Sequence, residues 1–469
     1  MPSRVLLISL NRCSNPDPVF PIGLSYLNST LRRAGHEVKW YDVLADSTSL
    51  DSVLSEFRPT VTGISVRNVD DVLLRRQEVY FLELESVCSI VRRKTRCPVV
   101  LGGSGFSLFP EELLRNAGAD YGICGAGEVS FLRLLEALSD GEEVSNIPGL
   151  VYHRNGRVFV NPAHPEMPAL PLTEADRPAG VAAHYLRASG TLNVQTQRGC
   201  SFKCCYCAYP LLEGRSHLRR PAEEIAAEFE LAQRTGARFV FVVDSVFNSS
   251  PRHTQEVCEA IIRRNVQISW GCFLRPQGLS LEQVKLMKRA GLSHVEFGSD
   301  SFCDEVLQAY QKGLSFDDVR ESNDLVRQAK IECCHFVICG GPGETRETLE
   351  QSYQNSLLLG GAVILAVVGM RIYPGTPLFY RAQAEGHLNG HPNLLEPVYY
   401  ISRDFEQTEQ VFDHVRRYSR QSPNWIVGDP SPAFISMVAR LRQRGVVGPL
   451  WSYAAMVQRL WPGGRTASP

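Results

Sequence analysis

The 469-residue sequence has no apolar run long enough to cross a bilayer, which excludes a transmembrane segment. Neither sign of charge is in excess: 49 lysines and arginines stand against 50 aspartates and glutamates, so no electrostatic footprint argues for nucleic acid. The opening run from Met1 to Leu10 lacks a cleavage region, and its apolar part is too brief for a secretory signal, so it reads as a short buried strand. Without such a signal the 14 cysteines, scattered apart from one cluster, argue for a reducing cytoplasm rather than a disulfide framework. Two or three globular units are the expectation for this length.

From Arg4 to about Asp140 short apolar runs alternate with helical patterns. Val5–Ser9, Glu37–Tyr41, Val61–Val66, Pro98–Leu101 and Tyr121–Cys124 read as strands; Leu24–Ala34, Ser49–Phe57, Leu82–Arg93 and Ser130–Leu138 read as amphipathic helices between them. Such alternation pairs strands in parallel through right-handed crossovers, so residues 1–145 are expected to form a doubly wound, flavodoxin-like sheet of the Rossmann type. Ligands of such sheets bind outside the carboxyl ends of the strands. Those ends run into loops rich in small residues: Ser65-Val66-Arg67-Asn68, Gly102-Gly103-Ser104-Gly105 and Gly125-Ala126-Gly127-Glu128. Gly149–Val160 reads as a hairpin about Asn155-Gly156, and Pro162, Pro165, Pro168, Pro171 and Pro178 mark a linker, giving a hairpin-and-linker segment over 146–185.

A second series of strand patterns occupies residues 186–400, at Thr191–Gln197, Phe239–Val243, Ile268–Phe273, His294–Gly298, Cys334–Cys339 and Val363–Met370, each followed by a helical pattern. Six such units fit a partial (β/α)6 TIM-like barrel with its active site on the carboxyl-end loops. Ser280-Leu-Glu-Gln283 has the capping-box spacing that starts an outer helix. Residues 401–469 read as a helical C-terminal extension, through Glu406–Arg420 and Pro432–Arg444. Its apolar Leu450–Trp461 segment is either core packed on the barrel or a hint of a greasy substrate or shallow membrane contact.

Directly after the first strand of this second series stand Cys200, Cys204 and Cys207, a CxxxCxxC triplet. Three thiolates so spaced can hold three irons of a cubane and leave the fourth iron open for a reacting molecule. The alternatives are buried thiols or a zinc site. Zinc usually takes four ligands in paired short spacings, and Cys205 is an awkward fourth because it directly follows Cys204.

The triplet resembles that of the radical S-adenosylmethionine (SAM) family. The resemblance implies a [4Fe–4S] cluster whose open iron chelates the methionyl amine and carboxylate of SAM, with Tyr206, the aromatic before the last ligand, beside the adenine. Three further segments match the family in the right order: Val295–Leu307 with Gly298 and Ser299, followed by Lys312-Gly313; the turn of Gly340 and Gly341, which continues to Thr345; and Arg371–Pro377. The family more often has Glu where Asp300 stands, which leaves the role of Asp300 open. Asp244, a carboxylate ending an apolar strand, could accept from a ribose or ammonium group, or cap the next turn. Arg275 and Arg371 are candidates to pair with the SAM carboxylate; a surface ion pair is the alternative for each. Cys339, ending the fifth strand, is a candidate substrate contact, with burial as an inert thiol as the alternative. In this family the cleavage of SAM yields a 5′-deoxyadenosyl radical, which takes hydrogen from C–H bonds that acid–base chemistry cannot reach.

The N-terminal half resembles the cobalamin-binding domain found upstream of many radical SAM enzymes, on Pro21–Leu27, Leu31–Val38, Val100–Gly105 and Gly125–Phe131. This implies cobalamin with its nucleotide tail in the sheet crevice, against Ser65, Val66, Arg67, Asn68, Gly102, Gly103, Ser104, Gly125, Gly127 and Glu128; the alternative is a set of ordinary turns in a domain that has lost its ligand. The DxHxxG motif that supplies a cobalt-ligating histidine elsewhere is absent, and His36 precedes a strand, at the wrong end for a ligand. Arg67, Asn68 or a residue of the Asn11–Phe20 loop could face the metal. The joint resemblance implies a cobalamin-dependent radical SAM enzyme that methylates an unactivated carbon of a small metabolite or lipid precursor, supplied with electrons by a flavodoxin or ferredoxin. The rivals are cyclisation, ring contraction or rearrangement with redox or vestigial cobalamin, and a non-catalytic sensor, which would have no need of SAM-facing residues such as Asp244 and Ser299.

Overall fold

Val5, Leu6, Leu7 and Ile8 are all fully buried, as a continuous apolar run must be in a strand covered on both faces. They form β1 (Arg4–Ser9) of the first sheet in the computed structural model, which describes residues 2–14, 17–164, 172–390, 393–429 and 432–453. β1 pairs in parallel with β2 (Glu37–Asp42) and β3 (Val61–Ser65), and the sheet continues through β4 (Val99–Gly102) and β5 (Tyr121–Ile123). The order β2-β1-β3-β4-β5 is the doubly wound one expected. The expected hairpin forms as β6 (Leu150–Arg154) and β7 (Arg157–Val160), turning through Asn155 at φ 51° and Gly156 at φ 74°. It joins the first sheet antiparallel to β5 and so extends it to seven strands.

Pro165, Pro168 and Pro171 of the expected linker lie outside the described residues, as does the apolar C-terminal segment beyond Tyr453. Pro178 is the N-cap of a helix, Ala179–Ser189, that the proline pattern concealed. Its Tyr185 is fully buried and donates to Asp42 Oδ2 at 2.9 Å, fastening this helix to the first sheet.

The second sheet begins with β8 (Thr191–Val194); a small ribbon of β9 (Gln197–Arg198) and β10 (Leu218–Arg219) follows. Then come β11 (Phe239–Val242), β12 (Ser269–Leu274), β13 (Leu292–Asp300), β14 (Glu332–Cys339) and β15 (Val363–Val368). β16 (Met370–Arg371) pairs with β17 (Tyr399–Tyr400), and β18 (Trp425–Val427) closes the series. The order β18-β15-β14-β13-β12-β11-β8 is parallel throughout, an open arc of a barrel. β18 lies in the stretch expected to be helical and adds a seventh strand. The expected helices are present at Thr408–Gln421 and Pro432–Gln443, and Ser280 accepts from Gln283 N–H at 3.2 Å to cap Leu281–Arg289. Leu450 and Trp451 are buried, and Trp451 Nε1 donates to Glu296 at 2.9 Å, so the described part of the apolar segment is core.

One apolar cluster runs from Val5 and Leu7 through Tyr185 to Val194 and Val240, so the two sheets share a core. No described helix is long and apolar enough to cross a membrane.

Candidate active site

The cysteine loop is held by backbone geometry only glycine tolerates. Gly199 has φ 85°, and a Cβ there would stand 2.0 Å from the Ser216 carbonyl oxygen. Cys200 N–H donates to Gly214 O at 3.0 Å and Cys207 N–H to Cys204 O at 3.2 Å. The Cys207 thiol is pushed up to about 12, mainly by burial and further by the sulfurs of Cys204 and Cys200. Cys205 is turned away: its thiol lies in the apolar cluster that holds Tyr310 and Leu378, its N–H donates to Tyr310 O at 2.9 Å, and burial raises it to about 12. Among the described residues no three His, Cys, Asp or Glu side chains close round a single ion. A cubane makes no such demand, because each cysteine binds a different iron and the three sulfurs stand apart. Three neighbouring thiols with the fourth turned into the core therefore fit a cluster with one open iron.

Asp300 organises the surroundings of this loop. Its carboxylate accepts from the Tyr206 phenol and pairs with Lys312 Nζ at 2.7 Å, with both side chains of the ion pair buried. Lys312 is the strongest cationic influence on the Cys204 thiol, opposing the rise that burial imposes. A Cβ at Gly298 would stand 3.9 Å from Lys312 Nζ, so this glycine keeps open the space beside the ammonium. Lys312 was noticed in the sequence only as part of a segment; an ammonium alone carries no signal of the partner that fixes it.

Several residues expected to meet cofactors have partners inside the protein. Asp244 accepts from Thr196 N–H at 2.7 Å, from the Thr196 hydroxyl and from Gln197 N–H at 3.3 Å. Burial pushes its carboxyl up to about 7 against those donors, and it anchors the approach to the cysteine loop. Arg275 donates to the carbonyls of Lys312 and Gly313 and stacks 4.2 Å from the centre of the Phe202 ring, so it buttresses Lys312. Arg371 is not at the surface either: Nε pairs with Asp70 Oδ2 at 2.9 Å, and its other nitrogens donate to Ile372 O and Leu394 O. Ser299 points away from the barrel mouth, to His335 Nδ1 at 2.7 Å. Gly340 N–H donates to the Glu344 carboxylate, and the space a Gly341 Cβ would need is taken by Tyr310, 2.3 Å away. Cys339 ends its strand as expected, and its thiol is fully buried in the core, where burial raises it well above the usual range.

In the first sheet Glu128 is buried against Arg198, with Oε1 2.7 Å from Nη2. Ser65, Val66 and Asn68 wrap the next turn: a Cβ at Gly103 would meet Val66 O at 2.5 Å, Gly105 N–H donates to Val66 O at 2.9 Å, and Ser104 Oγ donates to Arg67 O at 2.8 Å. Gly125 N–H donates to Ser107 Oγ at 2.9 Å. Two glycines have no such packing duty: around Gly102 and Gly127 the nearest atoms to an added Cβ are 3.8 Å and 4.0 Å away, both from Ile123. They leave the crevice at the ends of β4 and β5 open, as a nucleotide tail would require. His36 takes the Ser3 N–H on Nδ1 at 3.0 Å, at the opposite end of the strands. Phe20 of the Asn11–Phe20 loop is core, packed on Trp40 and Tyr185.

The carboxyl ends of both sheets meet. Glu128 follows β5 and Arg198 ends β9; Asp70 follows β3 and Arg371 ends β16, and both pairs bridge the sheets with their side chains largely buried. Tyr209, just after the cysteine loop, is 40% exposed, yet desolvation pushes its phenol up to about 12, with Glu213 and Cys207 adding to the rise and Arg67 of the first sheet opposing it.

Comparison with known proteins agrees with this arrangement. The profile of the radical SAM superfamily matches residues 194–355, and that of the B12 binding domain matches residues 14–135. A protein of Streptomyces laurentii named tryptophan 2-C-methyltransferase is 26% identical over 76% of this chain and 71% of its own length. An uncharacterized methyltransferase of Pyrococcus horikoshii is 28% identical over 78% of this chain and 79% of its own. The solved structure of the radical SAM methyltransferase TsrM from Kitasatospora setae, with cobalamin and a [4Fe–4S] cluster bound, superposes over 100% of both chains with a TM-score of 0.87 at 24% identity. The two matched domains take a [4Fe–4S] cluster with SAM and cobalamin, respectively. The chain belongs to the radical SAM superfamily and carries a B12-binding domain at its N-terminal side: it is a cobalamin-dependent radical SAM enzyme.

Proposed function

We propose that this enzyme methylates a carbon atom of a small-molecule substrate held in a chamber formed between the carboxyl-end loops of the two sheets. The observation that carries the reading is the meeting of the two carboxyl-end loop sets across buried ion pairs, Glu128 with Arg198 and Asp70 with Arg371. When bound, the cluster with SAM supplies carbon-radical chemistry and cobalamin supplies a methyl carrier. The chain's own residues hold, orient and enclose. Cys200, Cys204 and Cys207 would ligate the cluster and leave one iron open. Lys312, fixed by Asp300, offers a buried ammonium beside Cys204 to which the carboxylate of SAM can pair. Gly102 and Gly127 leave the crevice open for cobalamin, and among the described residues up to 145 the one histidine, His36, lies at the opposite end of the strands. Arg67, whose backbone carbonyl accepts from Ser104 Oγ and Gly105 N–H, lowers the Tyr209 phenol with its positive charge. A reactive radical must meet its target near contact, where positioning is worth several powers of ten in rate, and a chamber tied shut at two points favours this. Electrons would come from an external one-electron donor.

Cyclisation is the second reading. A relative from Rubrivivax gelatinosus, named anaerobic magnesium-protoporphyrin IX monomethyl ester cyclase, favours it at 23% identity over 71% of this chain and 61% of its own length. Counting products separates the two. Tryptophan, the acceptor in the name of the Streptomyces laurentii relative, is the first substrate to assay, followed by other small aromatic and isoprenoid acceptors. Methylation should form S-adenosylhomocysteine and 5′-deoxyadenosine together with methylated product. An altered, unmethylated product formed with 5′-deoxyadenosine alone would replace methylation with cyclisation or rearrangement.

A further inference from the structure

β13 carries a bulge at the point where it reaches the active site. Its pairing with β14 shifts register between Gly298 and Asp300, and Asp300 takes φ 64°, a left-handed conformation uncommon outside glycine. Across it neighbouring side chains still fall on opposite sides, as strand alternation requires. Asp300 turns into the barrel mouth, to Lys312 and Tyr206, while Ser299 turns into the layer between the sheet and its outer helices.

Ser299 is received there by a chain of buried polar groups. Its hydroxyl meets His335 Nδ1 at 2.7 Å; His335 Nε2 meets Asn323 Oδ1 at 3.3 Å; and Asn323 Nδ2 donates to Gly360 O at 3.3 Å. The amide oxygen of Asn323 also takes the Cys333 thiol at 3.4 Å, so it is an acceptor, and the imidazole proton belongs on Nε2. Nδ1 is then free to accept from the Ser299 hydroxyl. The ring is clamped, stacked 4.9 Å from the centre of Phe297 and edge-on to Phe302 at 5.7 Å. Burial pushes the pKa of His335 down to about 3, which keeps the ring neutral and this hydrogen-bond pattern intact. Nothing in the chemistry at the barrel mouth uses these groups directly, yet each of their hydrogen bonds bears on the residue next to Asp300.

We propose that His335 and Ser299 are positioning residues for the cluster and SAM site: their hydrogen bond latches the β13 bulge from the helix side, and the latched bulge aims Asp300 at Lys312 and Tyr206. The inference rests on the reading of the cysteine triplet as a radical SAM cluster, and the test keeps the two apart. Full-length protein is reconstituted with iron and sulfide as wild type, His335→Ala, His335→Gln, Asp300→Asn and the His335→Ala/Asp300→Asn double variant. Iron per chain, the dissociation constant of SAM and the EPR spectrum of the reduced cluster with and without SAM are measured.

Iron content should match wild type in every variant. Loss of one aimed, charge-assisted contact should weaken SAM about tenfold in His335→Ala and alter the SAM-induced change in the EPR spectrum. His335→Gln, which keeps one acceptor and one donor, should recover most of the affinity. Because His335 acts through Asp300, the double variant should bind no more weakly than Asp300→Asn alone. Wild-type affinity in His335→Ala, multiplied losses in the double variant, or loss of iron itself in His335→Ala would overturn the latch. If His335→Ala does not fold, Ser299→Ala takes its place with the same expectations. Loaded wild type with unaffected variants sinks the latch alone; wild-type protein that takes up no iron sinks the cluster reading and the latch with it.

Discussion

Alanine at Cys200, Cys204 or Cys207 should abolish the cluster, reducing iron after anaerobic reconstitution from about four atoms per chain to a small residue. Each of the three sulfurs would carry its own iron, so no neighbour replaces a missing one. Cys205 is the control. It sits in the same short run but is turned into the apolar cluster with Tyr310 and Leu378, its backbone tied on both sides. Cys205→Ala should therefore keep wild-type iron and the visible absorption of the cluster. Iron lost with Cys205→Ala and retained with Cys204→Ala would reverse the assignment. Because thiols must lose their protons to bind metal, and burial raises those of Cys204 and Cys207, reconstitution should be faster at mildly alkaline pH.

Asp70→Ala should destabilise the protein by about 3–5 kcal/mol, because it leaves a buried guanidinium without its carboxylate. The Arg371 and Asp70 side chains are 3% and 0% exposed, and no water is at hand to take over. The fall should appear as a lower urea midpoint and a lower Tm for the whole chain, since the pair joins the two sheets. Replacing both partners with apolar residues, Asp70→Leu with Arg371→Met, should recover much of the loss. Arg263→Ala, which removes an ion pair whose members are 58% and 57% exposed, should cost under about 1 kcal/mol and serves as the control. Equal losses for the buried and the exposed pair would contradict the interdomain strut.

What the sequence revealed and what it hid divide along a physical line. Local patterns were legible. The run Val5–Ile8 could only be a strand covered on both faces, Asn155-Gly156 turned the hairpin it promised, and the CxxxCxxC spacing declared a site before any geometry was known. The destinations of charged side chains were not. Arg371 finds its partner 301 residues away in Asp70, and Glu128 finds Arg198 across the domain boundary; neither distance leaves a trace in spacing. A charge at a strand end looks the same in the sequence whether it meets a cofactor or another chain segment. Ser299 leaves no such trace either: its hydroxyl finds His335 of the neighbouring strand, on the face it shares with Phe297. β18 was missed because a strand of three residues within a helical stretch gives no periodicity.

The central claim is that the cluster and cobalamin share one chamber, and the interaction between their electron spins tests it most directly. With cobalamin in its cobalt(II) form and the cluster reduced, both are paramagnetic. EPR of the doubly loaded enzyme should show mutual broadening or splitting that is absent when either cofactor is loaded alone. A spectrum equal to the sum of two independent signals would place the cofactors apart and contradict a shared site.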